Sequence, residues 1–283
     1  MKPGLKTKSR IGHTVREFPF ISFALILIPS ILVFSACSKD RGSTLSQIKK
    51  AGQITVAVEG TYPPFSFYSK DNELVGFDVD VAKEIALRLD VVAKFVTVEW
   101  SKMISGLNAG EYDCIIASMA VTEARKKHVA FTEPYYYSSA QLIVRAESTF
   151  NHPTDLKGLT VGVVAGTTYE ADAKQLGAGP ILLYKDDYQC LHDLHLGVLD
   201  GVITDKVLGA YLENINRYQF KLLNPPLRQE KVAVAIRKQD DALLRKLNKI
   251  LKAMHKDDTL NSFISKVAQG DYNVVDPVGS ENP

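Results

Sequence analysis

The chain has 283 residues, of which 46% are hydrophobic, 23% charged and 9% aromatic. This composition is that of an ordinary globular protein, and it excludes disorder, collagen and coiled coil for the bulk of the chain. Five of the 34 Lys/Arg but only one of the 32 Asp/Glu lie in residues 1–17, which leaves 29 Lys/Arg against 31 Asp/Glu in the rest of the chain. The bulk charge therefore gives no case for nucleic-acid binding.

Residues 1–43 have the pattern of an export signal followed by a lipid anchor. A basic segment over residues 1–17 precedes an uncharged, mainly apolar stretch over residues 18–36, and two small residues lead to Cys37. This ending resembles a bacterial lipobox, although Phe34 stands where that pattern usually has leucine. We expect a signal peptide over 1–36, lipidation of Cys37 and a tether over 37–43. A permanent transmembrane anchor and a soluble or uncleaved product are the alternatives.

Strand-like and helix-like segments alternate after the tether. Apolar runs predict strands over 54–58, 92–98 and 113–117, and apolar residues at helical spacing predict helices over 79–89 and 101–108. A small hairpin is predicted near residues 65–74. This order predicts an α/β fold with a parallel sheet and right-handed crossovers. Further on, we expect a helix over 207–215, a strand over 232–236, helices over 240–268 and a flexible tail over 273–283.

Two short patterns occur twice, in the same order. The pattern L-x-x-G-x-x-D-x-x-I spans residues 107–116 and again 194–203, and Thr-Val-x-Val spans 55–58 and 160–163. A Gly-Thr pair follows each of the latter, at 60–61 and 166–167. The first pattern combines a helix end, a glycine turn and entry into a buried strand. We interpret these repeats as two lobes of common design.

The chain contains no motif of a known catalytic or metal site, so we expect no enzyme activity, no cofactor and no metal. Cys190, His192 and His195 are close in sequence, but their spacing matches no zinc pattern. Cys114 lies in an apolar, strand-like run and is expected to be a buried free thiol. A Cys114–Cys190 disulfide is the alternative.

Candidate binding residues of the first lobe follow its strands, at the sheet edge where an α/β cleft forms. Glu59 and Tyr62 lie in a loop that contains glycine and proline, and Trp100 follows the second strand. Arg125 falls in the first turn of a predicted helix, where a cation is unfavourable unless an anion is near. It is therefore a candidate clamp for a carboxylate. The structural alternatives are a solvated carboxylate at Glu59, a rim aromatic at Tyr62 and a core tryptophan at Trp100. For Arg125 the alternative is a solvated basic turn.

The second lobe offers two more candidates. Thr168 lies in a loop that runs into a helix, where free amides and hydroxyls bind anions. Asp205 opens the next predicted helix, where it would be an N-cap or an acceptor for an ammonium group. A carboxylate clamp, an ammonium acceptor and aromatic walls together indicate recognition of an amino acid.

At this point the residues resemble a known family, the amino-acid-binding periplasmic solute-binding proteins of ABC importers. That family includes the histidine-, glutamine- and lysine/arginine/ornithine-binding proteins. The similar stretches are residues 60–65, 74–80, 119–125, 131–136, 166–168 and Asp205. The resemblance implies two lobes, 44–143 with 232–272 and 144–231, each a mostly parallel sheet flanked by helices. A hinge of two strands would join the lobes and close them on the ligand.

The resemblance also implies how the ligand's amino and carboxyl groups are held. Arg125 would bind the α-carboxylate with help from Thr168, and Asp205 would bind the α-ammonium. Ser118 would offer polar atoms near the ammonium. Ala120 stands where members usually have Ser or Thr, so this chain lacks one hydrogen bond, typically worth about 0.5–1.5 kcal/mol.

Tyr62 and Trp100 would enclose the ligand side chain, and Glu59 would meet its polar end. Because two aromatic faces and a carboxylate suit a guanidinium, we expect a basic amino acid, arginine first and lysine or ornithine next. Glutamine, another polar amino acid or an opine is the alternative ligand, and a cyclohexadienyl dehydratase-like enzyme is the alternative class. The implied partners are an ABC permease and, through the lipid, a bacterial membrane. A monomer in the periplasm or cell envelope is expected.

Overall fold

Helices and strands alternate along the chain, as the sequence predicts. The computed structural model describes residues 42–214 and 219–269. The strands are β1 (Gln53–Val58), β2 (Thr61–Tyr62), β3 (Ser66–Tyr68), β4 (Leu74–Val75), β5 (Val92–Thr97), β6 (Cys114–Ile115), β7 (Ala130–Arg145), β8 (Val161–Val164), β9 (Ile181–Tyr184), β10 (Gly201–Asp205) and β11 (Phe220–Ile236). The helices are α1 (Thr44–Ala51), α2 (Phe77–Arg88), α3 (Met103–Ala109), α4 (Glu123–Lys126), α5 (Tyr169–Leu176), α6 (Asp187–His195), α7 (Lys206–Asn214), α8 (Asp241–Lys256) and α9 (Thr259–Gln269).

Eight of these strands form one sheet in the order β5-β1-β6-β11-β7-β10-β8-β9. On its outer sides β1 is parallel to β5 and β6, and β8 is parallel to β9 and β10. The three pairs at the centre, β6–β11, β11–β7 and β7–β10, are antiparallel. A small sheet, β2-β3-β4, is the hairpin predicted near residues 65–74. The predicted α/β class is therefore confirmed, with a large, mainly parallel sheet flanked by helices.

Two long strands, β7 and β11, occupy the centre of the sheet and connect its outer parts. They pair from Phe220 opposite Arg145 to Ile236 opposite Ala130. We call the β5-β1-β6 side the first half of the sheet and the β10-β8-β9 side the second half. The sequence pattern does not predict β7, because Pro134 interrupts it. Of β11, only the last five residues are predicted. The predicted lobe boundaries fall inside these two strands, and the division into lobes stays a prediction.

The repeated sequence patterns have the same structure in both halves. Asp113 Oδ2 accepts a hydrogen bond from the Thr55 amide at 2.8 Å, and Asp200 Oδ2 accepts one from the Thr160 amide at 2.9 Å. Each aspartate also donates its own amide to the carbonyl of the same threonine, at 2.9 Å in both cases. The glycine three residues before each aspartate has a left-handed φ, 81° in one and 78° in the other. The repeats therefore join a helix end to a strand by the same bonds.

Both thiols of the described chain are buried and free. Burial raises the pKa of Cys114 and of Cys190, which keeps both protonated and unreactive, and the alternative of a disulfide between them is not found. Within residues 42–214 and 219–269, no three His, Cys, Asp or Glu side chains are placed to hold a metal ion. Over the same ranges, no helix has both the length and the apolar character needed to span a membrane.

Several predictions concern segments outside the described residues. These are the signal peptide over 1–36, lipidation at Cys37 and the tail over 273–283. The end of the predicted tether is described, and there Ser43 Oγ caps α1 by accepting the Ser46 amide at 3.3 Å. Helices α8 and α9 confirm the pair predicted over 240–268.

Candidate ligand-binding site

A cavity with about 30 Å³ of free space lies beside the carboxyl ends of β1 and β8, with residues of both halves on its walls. Seven of the eight predicted site residues line the cavity. They are Glu59, Tyr62, Trp100, Ser118, Ala120, Arg125 and Thr168. Five further lining residues were not predicted. They are Val164, Thr167, Tyr169, Asp187 and Glu230.

Arg125 supplies the positive charge of the cavity. Thr122 Oγ1 caps α4 by accepting the Arg125 amide at 3.1 Å, and Arg125 Nη1 donates to the Ala120 carbonyl at 2.8 Å. The guanidinium also lies 5.0 Å from the centre of the Trp100 ring. Burial lowers the pKa of Arg125, and no carboxylate in the described part of the chain forms an ion pair with it. A buried, charged donor without a counter-ion is suited to an anionic group of a ligand.

Ser118 is held by a buried network behind the cavity. Its Oγ donates to Asp78 at 2.8 Å, and Tyr135 Oη donates to the same carboxylate at 2.6 Å. Ser118 has a φ of 50°, an unusual conformation that this network and the Tyr135 hydroxyl, which accepts the Ser118 amide, keep in place. Burial raises the pKa of Asp78 to about 6. The serine hydroxyl is therefore already used as a donor within the protein.

Thr168 belongs to an ionic network in the second half. Its hydroxyl donates to Glu230 Oε1 at 3.3 Å and accepts from Arg228 Nη2 at 2.5 Å. Arg228 also pairs with Glu230 at 2.8 Å and with Asp172 at 2.9 Å, and Tyr169 Oη donates to Glu230 at 3.3 Å. The charge of the buried Glu230 is thus balanced inside the protein.

Asp205 lies behind the cavity wall. It is 2% exposed, and its Oδ1 accepts hydrogen bonds from Ser138 Oγ at 2.8 Å and from the Val207 amide at 2.7 Å. Burial raises the pKa of Asp205 to about 7. Burial raises the pKa values of Tyr62 and Tyr169, which line the cavity, and the charge of Asp205 raises them further. The predicted direct contact between Asp205 and a ligand stays a prediction, since Asp205 is the one predicted residue that does not line the cavity.

Two carboxylates, Glu59 and Asp187, make another part of the cavity acidic. Glu59 follows β1, and Asp187 is the first residue of α6. Burial raises the pKa of Asp187 to about 7, although its Oδ1 accepts a hydrogen bond from Thr204 Oγ1 at 2.5 Å. Burial also raises the pKa of Glu59, and the nearby charge of Asp187 raises it further. The cavity therefore has a guanidinium and two carboxylates without ion-pair partners in the described chain.

The aromatic residues of the cavity wall are Tyr62, Trp100 and Tyr169. Tyr62 stacks on Phe65, with ring centres 4.9 Å apart. Trp100 Nε1 donates to the Gly166 carbonyl at 3.1 Å, which links the first half to the second. Both rings line the cavity as predicted, and their enclosure of a ligand side chain stays a prediction.

Comparison with known proteins finds relatives that are similar along most of the chain. L-cystine-binding protein TcyJ of Escherichia coli (strain K12) is 32% identical over 260 residues, which are 91% of this chain and 97% of TcyJ. ABC transporter arginine-binding protein 1 of the same strain is 33% identical over 214 residues, 74% of this chain and 88% of that protein. The crystal structure of the ancestral amino acid-binding protein AncCDT-1, a precursor of cyclohexadienyl dehydratase, has 32% identity and a TM-score of 0.75. It covers 79% of this chain and 99% of the ancestral one.

A family model, described as bacterial extracellular solute-binding proteins, family 3, matches residues 54–269. The matched span begins in β1 and ends with α9, so it contains every residue of the cavity wall. The resemblance noted from the sequence motifs is thereby confirmed. The chain belongs to family 3 of the bacterial extracellular solute-binding proteins, whose relatives in this comparison are amino-acid-binding proteins.

Proposed function

We propose that this protein captures a basic amino acid outside the cytoplasm and delivers it to an ABC permease. Arginine is the first candidate, and lysine and ornithine follow. The observation that carries the proposal is the charge pattern of the cavity, an unpaired guanidinium at Arg125 and unpaired carboxylates at Glu59 and Asp187. An arginine ligand would supply a carboxylate to the first and a guanidinium to the second, so that no buried charge stays unpaired.

The binding mode follows from these charges. The α-carboxylate of the ligand binds Arg125 and backbone amides at the start of α5. A contact with the Thr168 hydroxyl requires that hydroxyl to turn from Glu230 to the ligand. The α-ammonium lies toward Asp205 and Ser118. The side chain passes between Tyr62 and Trp100. Because these residues belong to both halves, the ligand would hold the halves together, as in hinge closure.

A thermal-shift screen tests the proposal. The protein is unfolded and refolded first, so that bound ligand is removed, and is then heated with each common amino acid, ornithine, opines, cystine and prephenate. A ligand at 100 times its Kd adds about 2.7 kcal/mol, which is a rise in Tm of roughly 5–10 °C for a chain of this size. We expect this rise with arginine, lysine or ornithine. A rise with glutamine alone would contradict the proposed ligand class.

Trp100→Phe is expected to weaken arginine binding about threefold to tenfold. The variant keeps an aromatic face beside Arg125 but loses the hydrogen bond to the Gly166 carbonyl that links the two halves, and one such bond contributes about 0.5–1.5 kcal/mol. Isothermal titration calorimetry measures the change. Tyr137→Phe is the control, because that side chain is 64% exposed and lies outside the cavity wall. Affinity equal to that of the unaltered protein would show that the link is not formed in the complex.

Ala120→Ser is expected to strengthen arginine binding about twofold to tenfold. The substitution restores the hydroxyl that members of the family usually have at this cavity position, and a single added hydrogen bond contributes about 0.5–1.5 kcal/mol. The measurement is the Kd of arginine for both proteins. Unchanged or weaker binding would mean that the ligand's ammonium and carboxylate do not approach residue 120.

Cystine is a second candidate, favoured by the 32% identity to TcyJ over 91% of this chain. A second cavity of about 220 Å³ shares Glu59 and Trp100 with the first and has Lys185 on its wall. Cystine carries an ammonium and a carboxylate at each end, so its distal end would meet Glu59 and Lys185. Stronger binding of cystine than of arginine in the screen would favour this ligand.

We propose that the protein binds its ligand without converting it. The AncCDT-1 neighbour is itself an amino-acid-binding protein, although it is a precursor of cyclohexadienyl dehydratase. Turnover of prephenate or arogenate by the purified protein would contradict this proposal. Location in the periplasm or cell envelope, a monomeric state and a lipid on Cys37 belong to the same proposal. Mass spectrometry of the mature N-terminus tests the lipid, and an intact signal or an unmodified Cys37 would contradict it.

A further inference from the structure

The acidic part of the cavity is built from both halves of the sheet. Glu59 comes from the loop after β1, and Asp187 comes from the start of α6. Within the described part of the chain, neither carboxylate forms an ion pair, although Asp187 Oδ1 accepts a hydrogen bond from Thr204. That bond fixes the orientation of the Asp187 carboxylate, and its Oδ2 accepts no hydrogen bond from a described residue. Each half therefore contributes one unpaired carboxylate to the same space.

The charged groups that influence this pair are also acidic. Besides burial, the charges of Asp187, Asp186 and Asp78 raise the pKa of Glu59. The charge of Asp186 likewise adds to the raised pKa of Asp187. The charge of Asp187 in turn adds to the effect of burial in raising the pKa values of Asp205, Tyr62 and Tyr169. Lys185 shares the wall of the neighbouring cavity with Glu59, but among the described residues neither Lys185 nor another cation forms an ion pair with either carboxylate. The basic groups of the site interact with other residues instead. Arg228 forms an ion pair with Glu230, and the charges of Arg125 and Arg228 interact with those of Glu230 and Tyr169. Two ionised carboxylates in such surroundings need a cation from outside the protein.

We propose that Asp187 is a specificity-determining residue that forms, together with Glu59, a cation site across the cleft. The inference rests on the proposed function and deepens it, since it states which part of the ligand is selected. The ligand's distal group is a cation, a guanidinium or an ammonium, that contacts one carboxylate from each half. A cationic side chain then binds both carboxylates and so connects the two halves. A neutral side chain offers no charge to either carboxylate and therefore does neither.

Binding of a cation changes the number of protons held by Glu59 and Asp187. In the ligand-free protein burial raises the pKa of Asp187 to about 7 and also raises that of Glu59, so at pH 6.5 Asp187 is largely protonated. A bound cation favours the ionised forms and lowers both pKa values. Binding of arginine at pH 6.5 therefore releases protons. Calorimetric titration in two buffers with different ionisation enthalpies measures their number.

The experiment compares arginine with citrulline, its uncharged isostere, in four proteins. These are the unaltered protein, Asp187→Asn, Glu59→Gln and Asp193→Asn. Asparagine at position 187 keeps an oxygen that accepts the Thr204 hydrogen bond and removes only the charge. Asp193→Asn is the matched control, because Asp193 lies on the same helix and accepts a hydroxyl, that of Tyr184 at 2.6 Å, but is not on the cavity wall.

We expect Asp187→Asn to weaken arginine binding at least thirtyfold, to leave citrulline binding within threefold and to reduce the number of protons released. Glu59→Gln is expected to act in the same way, and Asp193→Asn to change neither ligand's affinity more than threefold. Arginine binding without proton release, or an arginine-to-citrulline ratio that stays within threefold in Asp187→Asn, would overturn the inference and leave the proposed function intact. Failure of the unaltered protein to bind any basic amino acid would overturn both. If Asp187→Asn does not fold, the arginine-to-citrulline ratio and the proton count of Glu59→Gln decide, because a fall in both is expected only if the ligand's distal cation contacts this pair.

Discussion

Arg125→Ala is expected to weaken binding of the amino acid at least a hundredfold. The substitution leaves the ligand's α-carboxylate buried without its charged partner, and the loss of one partner of a buried pair costs about 3–5 kcal/mol. A hundredfold loss of affinity corresponds to about 2.8 kcal/mol, which is just below the lower end of that range. The Kd of arginine by calorimetry is the measurement.

The same substitution should not destabilise the ligand-free protein by a comparable amount. In the empty cavity the Arg125 guanidinium makes one hydrogen bond, to the Ala120 carbonyl, and has no ion-pair partner among the described residues. Tm without ligand should therefore change little, while the rise in Tm on adding arginine disappears. Lys126→Ala is the control, because Lys126 is the next residue but pairs with the exposed Glu123. Binding retained in Arg125→Ala would mean that the carboxylate lies elsewhere.

The free energy of unfolding of the ligand-free protein is expected to fall as the pH rises from 5 to 7.5. Burial raises the pKa of Asp205 from 3.8 to about 7, and the charges of Glu230 and Asp187 act in the same direction. Between these two pKa values the folded protein holds a proton that the unfolded chain has released, so a rising pH favours unfolding. One pKa unit corresponds to about 1.4 kcal/mol, and the expected loss at Asp205 is on the order of 2 kcal/mol.

Asp205→Asn isolates this contribution. The amide oxygen still accepts the bonds from Ser138 and Val207, while the titrating group is gone. Urea unfolding across this pH range should give a shallower slope for the variant than for the unaltered protein. The slope should not vanish, because the pKa values of Asp187 and Asp78 are also raised, to about 7 and about 6. Equal slopes for the two proteins would show that Asp205 is not a buried, proton-holding carboxylate.

The sequence predicts the outer parts of the fold well because their signals are local. Strand β1, helix α2 and strand β5 each follow from apolar spacing, and the two repeated patterns mark equivalent joints at Asp113 and Asp200. The central strands β7 and β11 could not be predicted in full. They pair over long distances in sequence, Phe220 with Arg145, and Pro134 interrupts the pattern of β7.

The site is predictable where a residue follows a strand that was itself recognised. Glu59 and Trp100 were found in this way, and Arg125 was found from its unusual place in a helix N-terminus. Asp187 was missed because an aspartate at the start of a helix has an ordinary role there, and nothing local shows that its carboxylate faces a cavity. Glu230 was missed because it lies in the part of β11 before residue 232, where the sequence pattern predicts no strand.

A crystal structure of the protein with arginine bound tests the account most directly. We expect the α-carboxylate within hydrogen-bond distance of the Arg125 guanidinium and the ligand guanidinium between the carboxylates of Glu59 and Asp187. The Trp100 bond to the Gly166 carbonyl should be kept across the cleft. An arginine bound with its guanidinium away from both carboxylates, or bound outside this cavity, would contradict the account.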